Sequence, residues 1–205
     1  MSSSRSERIP SGLYLSYGIH FGLRSLLGLY LNRKPDEILF GHEPHGKPYI
    51  STPEPDGLNF NLTYSQDLAL IALMRGKSIG IDLEYCKYIP DADEVVTRYF
   101  SPGEISQYFQ LSSEDRICAF YRGWTRKEAF IKAIGNGLSY PLNSFSVSLL
   151  PDEPARLINL EGDATAPNRW QIKDLSPEKD YEAALAVEGD ISHIVSQQFE
   201  YIQAV

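Results

Sequence analysis

Two acidic motifs, far apart in the chain, contain the residue types that could do chemistry. The first, Gly-Ile-Asp-Leu-Glu, ends at Glu84, and the second, Trp-Thr-Arg-Lys-Glu-Ala-Phe-Ile-Lys, ends at Lys132. The first is typical of a buried strand, and because alternate residues of a strand share a face, Asp82 and Glu84 are expected to project together. The second predicts a helix with Glu128 and Lys132 one turn apart. If the fold joins the motifs, three carboxylates and an ammonium meet, which is the composition of a Mg²⁺ site that handles phosphate.

Each of these residues also has a plain structural interpretation. Glu128 and Lys132 at this spacing can form an ordinary helix salt bridge, worth about 0.2–0.5 kcal/mol. Asp82 and Glu84 can be the solvated end of a strand. The metal interpretation is favoured because both motifs occur in one chain.

Composition narrows the class of protein. The chain has 205 residues, of which 42% are hydrophobic and 22% charged, with a net charge of −8. These values predict a folded core and disfavour a nucleic-acid binder, which usually has a basic face. Arg122, Arg126, Lys127 and Lys132 nevertheless lie in one short segment, and such a local basic patch favours a small anionic ligand.

Neither a membrane protein nor a disulfide scaffold is expected. No signal peptide or apolar run long enough to span a bilayer is visible. Two cysteines, Cys86 and Cys118, without a metal-binding spacing indicate reduced thiols in a cytoplasmic protein.

The order of elements is helix, strands, helices, strands, which predicts an α+β fold of two halves, each with a helix packed on a small antiparallel sheet. A boundary is expected near residue 76, giving an N-terminal half at 1–76 and a C-terminal half at 77–205. Helices are predicted at 11–32, 90–100 and 113–134, and a further helix is predicted to begin at 101. Strands are predicted at 37–40, 57–64, 67–74, 77–84, 144–150, 155–160, 170–173, 183–187 and 199–202.

Two further motifs precede the acidic ones. They are Gly46-Lys47-Pro48, typical of a turn, and Phe60-Asn61-Leu62-Thr63-Tyr64-Ser65, typical of a strand end. Together with the acidic motifs and the Gly-Asn-Gly-Leu that follows them, they resemble the 4'-phosphopantetheinyl transferases of the surfactin-synthetase-activating type. The resemblance covers about residues 15 to 190 and depends on the two acidic motifs and these two further motifs all occurring in order.

This resemblance implies a fold with two similar α/β halves related by a pseudo-two-fold axis and coenzyme A in the cleft between them. It implies transfer of the phosphopantetheine arm of coenzyme A to a serine of an apo acyl or peptidyl carrier protein, with release of 3',5'-adenosine bisphosphate. Mg²⁺, or Mn²⁺, which suits the same oxygen ligands, is expected on the pyrophosphate.

Asp82, Glu84 and Glu128 are then expected to bind the metal, and Lys132 to reach the phosphate groups. The base that activates the serine is either Glu128 or a metal-bound water activated by Glu104. Glu104 has an alternative role, because it lies three residues after Ser101 and fits a helix capping box.

The resemblance places coenzyme A against other residues of the N-terminal half. Lys47 is the candidate for the 3'-phosphate, although a solvated turn is the alternative, and Thr63, Tyr64 and Ser65 are expected to line the phosphate path. Arg24 is a further candidate, with surface charge as its alternative. The family usually has histidine where this chain has Tyr64, which can donate only a neutral hydrogen bond. The N-terminal half is expected to be shortened at its start.

Two other functions remain open. A non-catalytic homologue would bind coenzyme A or a carrier protein without transfer, and an Mg²⁺-dependent phosphoester hydrolase would use the same carboxylates. In each case the protein is expected to be a monomer, because two fused halves supply the cleft.

Overall fold

The structure is a computed structural model that describes residues 11–52, 57–191 and 193–198. Its elements alternate as the sequence predicts, helix, strands, helices, strands. The helices are α1 (Ser11–Leu31), α2 (Ala92–Tyr99), α3 (Pro102–Gln110), α4 (Ser113–Ile134) and α5 (Ala166–Arg169). The strands are β1 (Phe40–His42), β2 (Pro48–Ile50), β3 (Leu58–Ser65), β4 (Leu68–Arg75), β5 (Ile79–Tyr85), β6 (Phe145–Val147), β7 (Leu157–Leu160), β8 (Trp170–Leu175) and β9 (Tyr181–Glu188).

In the N-terminal part, α1 packs on the antiparallel hairpin of β3 and β4. Leu23 and Leu27 of the helix meet Leu58 and Phe60 of the strand in one buried cluster. Burying side chains of this size contributes about 1.5–3 kcal/mol each, which is why the helix persists despite its glycines.

In the C-terminal part, α4 covers a three-stranded antiparallel sheet in the order β5-β9-β8. In this sheet Asp82 pairs with Ala184 and Glu84 with Glu182. Ala184 and Ala186 belong to the same buried cluster as Ala129 of the helix. These small side chains let the helix lie close to the strands that carry the acidic residues.

The ends of α3 and α4 follow from local sequence. The Ser101 side chain accepts a hydrogen bond from the backbone of Glu104, and the Glu104 side chain accepts one from the backbone of Ser101, so the predicted capping box is confirmed. The final turn of α4 closes on Gly135, whose φ of 74° lies in the left-handed region that glycine adopts without strain.

The α+β class, with a long helix on a small antiparallel sheet in each part, is confirmed. The strand predicted at 37–40 is wrong, because Pro35–Glu37 form a 3-10 turn and the strand begins only at Phe40. The strand predicted at 199–202 lies outside the described residues. The boundary near residue 76 stays a prediction, as does the symmetry relation between the halves.

Both cysteines, Cys86 and Cys118, are free thiols. Within the described part of the chain, no helix has the length and hydrophobicity needed to cross a bilayer.

Candidate active site

The acidic motifs meet because β5 and α4 touch at Gly80. A Cβ atom at Gly80 would overlap the Ala129 carbonyl oxygen and the Ala133 nitrogen, and would lie 2.9 Å from the Ala133 Cα atom. These are helix backbone atoms, which cannot rotate away as a side chain can. Glycine is therefore required for the approach that places Asp82 beside the helix.

Lys132 joins the two motifs directly. Its Nζ atom donates to Asp82 Oδ1 at 2.6 Å, and the Asp82 residue is only 4% exposed. Among the described residues Lys132 pairs with this carboxylate and not with Glu128 on its own helix, so the simple helix salt bridge is wrong. Burial raises the pKa of Asp82 and the Lys132 charge opposes that rise. The solvated-strand interpretation of Asp82 is also wrong.

Glu128 and Glu84 lie within electrostatic reach of Asp82. Burial raises the pKa of Glu128 to about 7, the Asp82 charge adds to the rise, Lys132 opposes it and Glu84 adds again. Burial also raises the pKa of Glu84, followed by the Asp82 charge, while a hydrogen bond from Ser65 opposes the rise. Three acids therefore share one partly desolvated region, in which Lys132 acts on all three carboxylates and Lys87 also acts on Glu84.

Two carboxylate oxygens in this region suit a hard cation. Asp82 Oδ2 and Glu128 Oε1 are buried and have no hydrogen-bond partner among the described residues, which is costly for an acceptor that can ionise. Within the described residues, no three His, Cys, Asp or Glu side chains form a complete metal-binding cluster. The arrangement therefore fits Mg²⁺ held by one or two protein carboxylates and completed by phosphate oxygens. The ligand set Asp82, Glu84 and Glu128 stays a prediction.

Strand β3 supplies two hydroxyl groups to the same region. Thr63 Oγ1 donates to Asp82 Oδ1 at 3.3 Å, and Ser65 Oγ donates to Glu84 Oε2 at 3.4 Å. Tyr64, between them in sequence, is 61% exposed. Of the three residues predicted to line the phosphate path, two therefore contact the acids themselves.

Glu104 is engaged elsewhere. Its Oε2 atom accepts from the Ser101 backbone and pairs with Lys127 Nζ at 2.8 Å, and its Oε1 atom accepts from the Val147 backbone. The exposed fractions of the Lys127 and Glu104 side chains are 0% and 1%. This buried ion pair ties α3 to α4, and no contact among the described residues links Glu104 to Asp82. Its catalytic role stays a prediction without geometric support.

Lys47 and Arg24 bind backbone carbonyls. Lys47 Nζ donates to Ile79 at 3.0 Å and Ala133 at 3.2 Å, so the solvated-turn alternative is wrong. Arg24 donates to the carbonyls of Pro35 and Ile38, which fastens α1 to the segment before β1. Neither residue is simple surface charge, and their contacts with coenzyme A stay predictions.

The predicted basic patch on α4 is wrong. Arg126 forms two hydrogen bonds to the Asp174 carboxylate and is 1% exposed, while Lys127 and Lys132 have the acidic partners described above. Arg122 donates to the Leu149 carbonyl at 3.0 Å. Of the four cations, only Lys132 contacts the acidic region.

Sequence comparison gives the family. Residues 78–186 match the model of the 4'-phosphopantetheinyl transferase superfamily. The 4'-phosphopantetheinyl transferase HetI of a Nostoc species is 40% identical over 168 residues, which are 82% of this chain and 68% of HetI. This chain belongs to the 4'-phosphopantetheinyl transferase superfamily.

Other members of the superfamily match over shorter regions. The 4'-phosphopantetheinyl transferase Sfp of Bacillus subtilis is 35% identical over 63% of this chain and 56% of its own length. The chain thus spans between about half and two thirds of these relatives. A holo-(acyl-carrier-protein) synthase from Bacillus anthracis in complex with CoA (3',5'-ADP) superposes on 55% of this chain and 96% of its own, with a TM-score of 0.43 and 23% identity.

The superfamily match begins just before β5 and ends within β9, so it contains both acidic motifs. Sequence reasoning did not single out Asn61, whose Oδ1 atom accepts from the Ile81 backbone at 2.8 Å. The signal was present in the alternation of Asn61, Thr63 and Ser65, which predicts one polar face on β3.

Proposed function

We propose that this protein transfers the 4'-phosphopantetheine arm of coenzyme A to a serine of an apo acyl or peptidyl carrier protein. The observation that supports this most is the ion pair between buried Asp82 and Lys132, in a member of the superfamily. Beside it lie two carboxylate oxygens that have no hydrogen-bond partner among the described residues. The serine oxygen bonds to the phosphorus that carries pantetheine. The bond from that phosphorus to the bridging oxygen breaks, and 3',5'-adenosine bisphosphate leaves.

Mg²⁺ would be held by Asp82 and Glu128, and Glu84 is the third candidate ligand. When bound, it neutralises charge on the pyrophosphate and orients the group that is transferred. Asp82 Oδ2 and Glu128 Oε1, which have no hydrogen-bond partner among the described residues, are the oxygen ligands that this role requires.

Glu128 is the better candidate for the base that takes the serine proton. The charges of Asp82 and Lys132 act on Glu128, so this carboxylate lies in the region where transfer would occur. Both oxygens of Glu104, the alternative, are already engaged by backbone groups and Lys127.

Lys132 would stabilise negative charge on the phosphate oxygens. The Lys132 side chain is 29% exposed, so it is accessible to a ligand while it holds Asp82. Tyr64 is exposed on β3 between Thr63 and Ser65, and its hydroxyl can donate to a phosphate of coenzyme A. Lys47 and Arg24 remain proposed contacts for coenzyme A. Their side-chain N–H groups already donate to backbone carbonyls, so they would have to bind coenzyme A in addition to those carbonyls. The cytoplasmic location and the monomeric state stay predictions.

Intact mass spectrometry tests the proposal. An apo carrier protein is incubated with this protein, coenzyme A and Mg²⁺, with EDTA replacing Mg²⁺ in the control. The expected result is a mass gain of one phosphopantetheine arm on the carrier that EDTA abolishes. No gain on several acyl and peptidyl carriers, with coenzyme A still bound, would favour the non-catalytic homologue. Free phosphopantetheine formed without an acceptor would favour the hydrolase.

A further inference from the structure

Strands β3 and β5 run side by side but belong to separate hydrogen-bonded sheets among the described residues. Side chains of β3 replace the backbone ladder between them. Asn61 accepts from the Ile81 backbone at 2.8 Å, and Ser65 accepts from the Tyr85 backbone at 3.0 Å. These bonds satisfy two N–H groups on the edge of β5 that no neighbouring strand pairs.

The same face of β3 reaches the acids. Thr63 Oγ1 donates to one oxygen of Asp82, and Ser65 Oγ donates to one oxygen of Glu84. The residue numbers of the bonded partners increase together along β3 and β5, so the two strands run parallel to each other. A ladder of three polar side chains, at Asn61, Thr63 and Ser65, therefore fixes the position of β5 along β3 and the direction in which its acidic side chains point.

The ladder leaves selected oxygens free. Thr63 and Lys132 both bind Asp82 Oδ1, whereas Asp82 Oδ2 has no partner in the part of the chain that the structure describes. A hydrogen bond to one oxygen of a carboxylate restricts its rotation and directs the other oxygen, as outer-shell partners do for metal ligands. Thr63 thus holds Asp82 in the orientation that presents Oδ2.

We propose that Asn61, Thr63 and Ser65 are positioning residues that orient Asp82 and Glu84 toward a divalent cation, rather than contacts of coenzyme A. The proposal rests on the proposed function, since it needs the cation that function uses. It gives Thr63 and Ser65 a role other than the coenzyme A contact expected from the sequence, and it gives a role to Asn61, for which the sequence suggested none. Removing either hydroxyl should weaken cation binding about tenfold, in the range seen for outer-shell partners of metal ligands.

The test measures Mn²⁺ binding by electron paramagnetic resonance with saturating coenzyme A, and coenzyme A binding by calorimetry in EDTA. The variants are Thr63→Val and Ser65→Ala, with Thr63→Ser and Ser65→Thr as rescues that keep the hydroxyl. Thr97→Val is the matched control, because that hydroxyl bonds only within α2, to the Asp93 carbonyl. Thermal melting monitors folding of each variant.

The expected result is weaker Mn²⁺ binding in Thr63→Val and Ser65→Ala, restored in both rescues, with coenzyme A affinity in EDTA and melting temperature unchanged. Unchanged Mn²⁺ affinity in both deletions would overturn the positioning role and leave the proposed function intact. Weaker coenzyme A binding in EDTA would also overturn it, in favour of direct ligand contact. If wild-type protein binds no Mn²⁺, the proposed metal function fails, and the positioning role fails with it.

Discussion

Replacing Gly80 with alanine should separate the strand and helix that carry the proposed active site. The added Cβ would lie 2.9 Å from the Ala133 Cα atom, whereas ordinary contact begins at 3.4 Å. The two elements must therefore part by at least about 0.5 Å, since helix backbone cannot repack locally. Overpacking of this kind costs about 1–3 kcal/mol.

The same displacement acts on the chemistry, because Gly80 precedes Asp82 on β5 and Ala133 follows Lys132 on α4. A misplacement of about 1 Å can cost about 100-fold in rate. The Ala129 oxygen and the Ala133 nitrogen lie nearer than the Ala133 Cα atom, so the displacement exceeds about 0.5 Å and the predicted loss of transfer rate is at least about tenfold. The melting temperature should fall by about 2–4 °C for each kcal/mol lost in a chain of this size.

Gly22→Ala is the matched control. A Cβ at Gly22, inside α1, has open space around it within 4 Å, and alanine should stabilise the helix by about 0.5–1 kcal/mol. Melting curves and single-turnover transfer rates are measured for both variants. If Gly80→Ala melts and turns over like wild type, the close approach does not position the site and the reasoning is refuted.

Two other perturbations test the electrostatics of the fold. Burial and the neighbouring acids raise the pKa of Glu128 from 4.5 to about 7, so ionisation of Glu128 destabilises the folded state. The free energy of unfolding should therefore fall by up to about 3 kcal/mol as the pH rises from about 4.5 to 7. Urea unfolding in EDTA should show this slope in wild type and a shallower one in Glu128→Gln; equal slopes would contradict the assignment. Lys127→Met leaves the Glu104 carboxylate buried without its cation and should cost about 3–5 kcal/mol in urea unfolding. The double variant Lys127→Met with Glu104→Gln should recover part of that loss, and a single variant as stable as wild type would show that the pair does not matter.

Local features of the fold could be predicted from sequence because their partners are neighbours in the chain. The capping box of Ser101 and Glu104 and the glycine that ends α4 need only residues within a few positions. The strand at 37–40 was wrong because periodicity does not show that Pro35 opens a 3-10 turn.

Partners supplied by distant elements could not be predicted. The helical spacing of Lys132 and Glu128 suggested a pair, but the ammonium crosses to Asp82, 50 residues earlier. The sequence placed Arg126 and Lys127 in a local basic patch, because their acidic partners, Asp174 and Glu104, come from a separate strand and helix. Resemblance to a family named Asp82, Glu84 and Glu128 as a group, and the structure brings their charges within reach of one another. Their roles as metal ligands stay predictions.

The central claim is that Asp82 and Glu128 support transfer without being needed for folding. Intact carrier mass is measured after incubation with Asp82→Ala, Glu128→Ala and Glu114→Ala, the last an exposed glutamate in the first turn of the same helix. The account predicts a phosphopantetheine mass gain with Glu114→Ala and none with the other two, while all three variants melt cooperatively. Wild-type mass gain with Asp82→Ala or Glu128→Ala would contradict it.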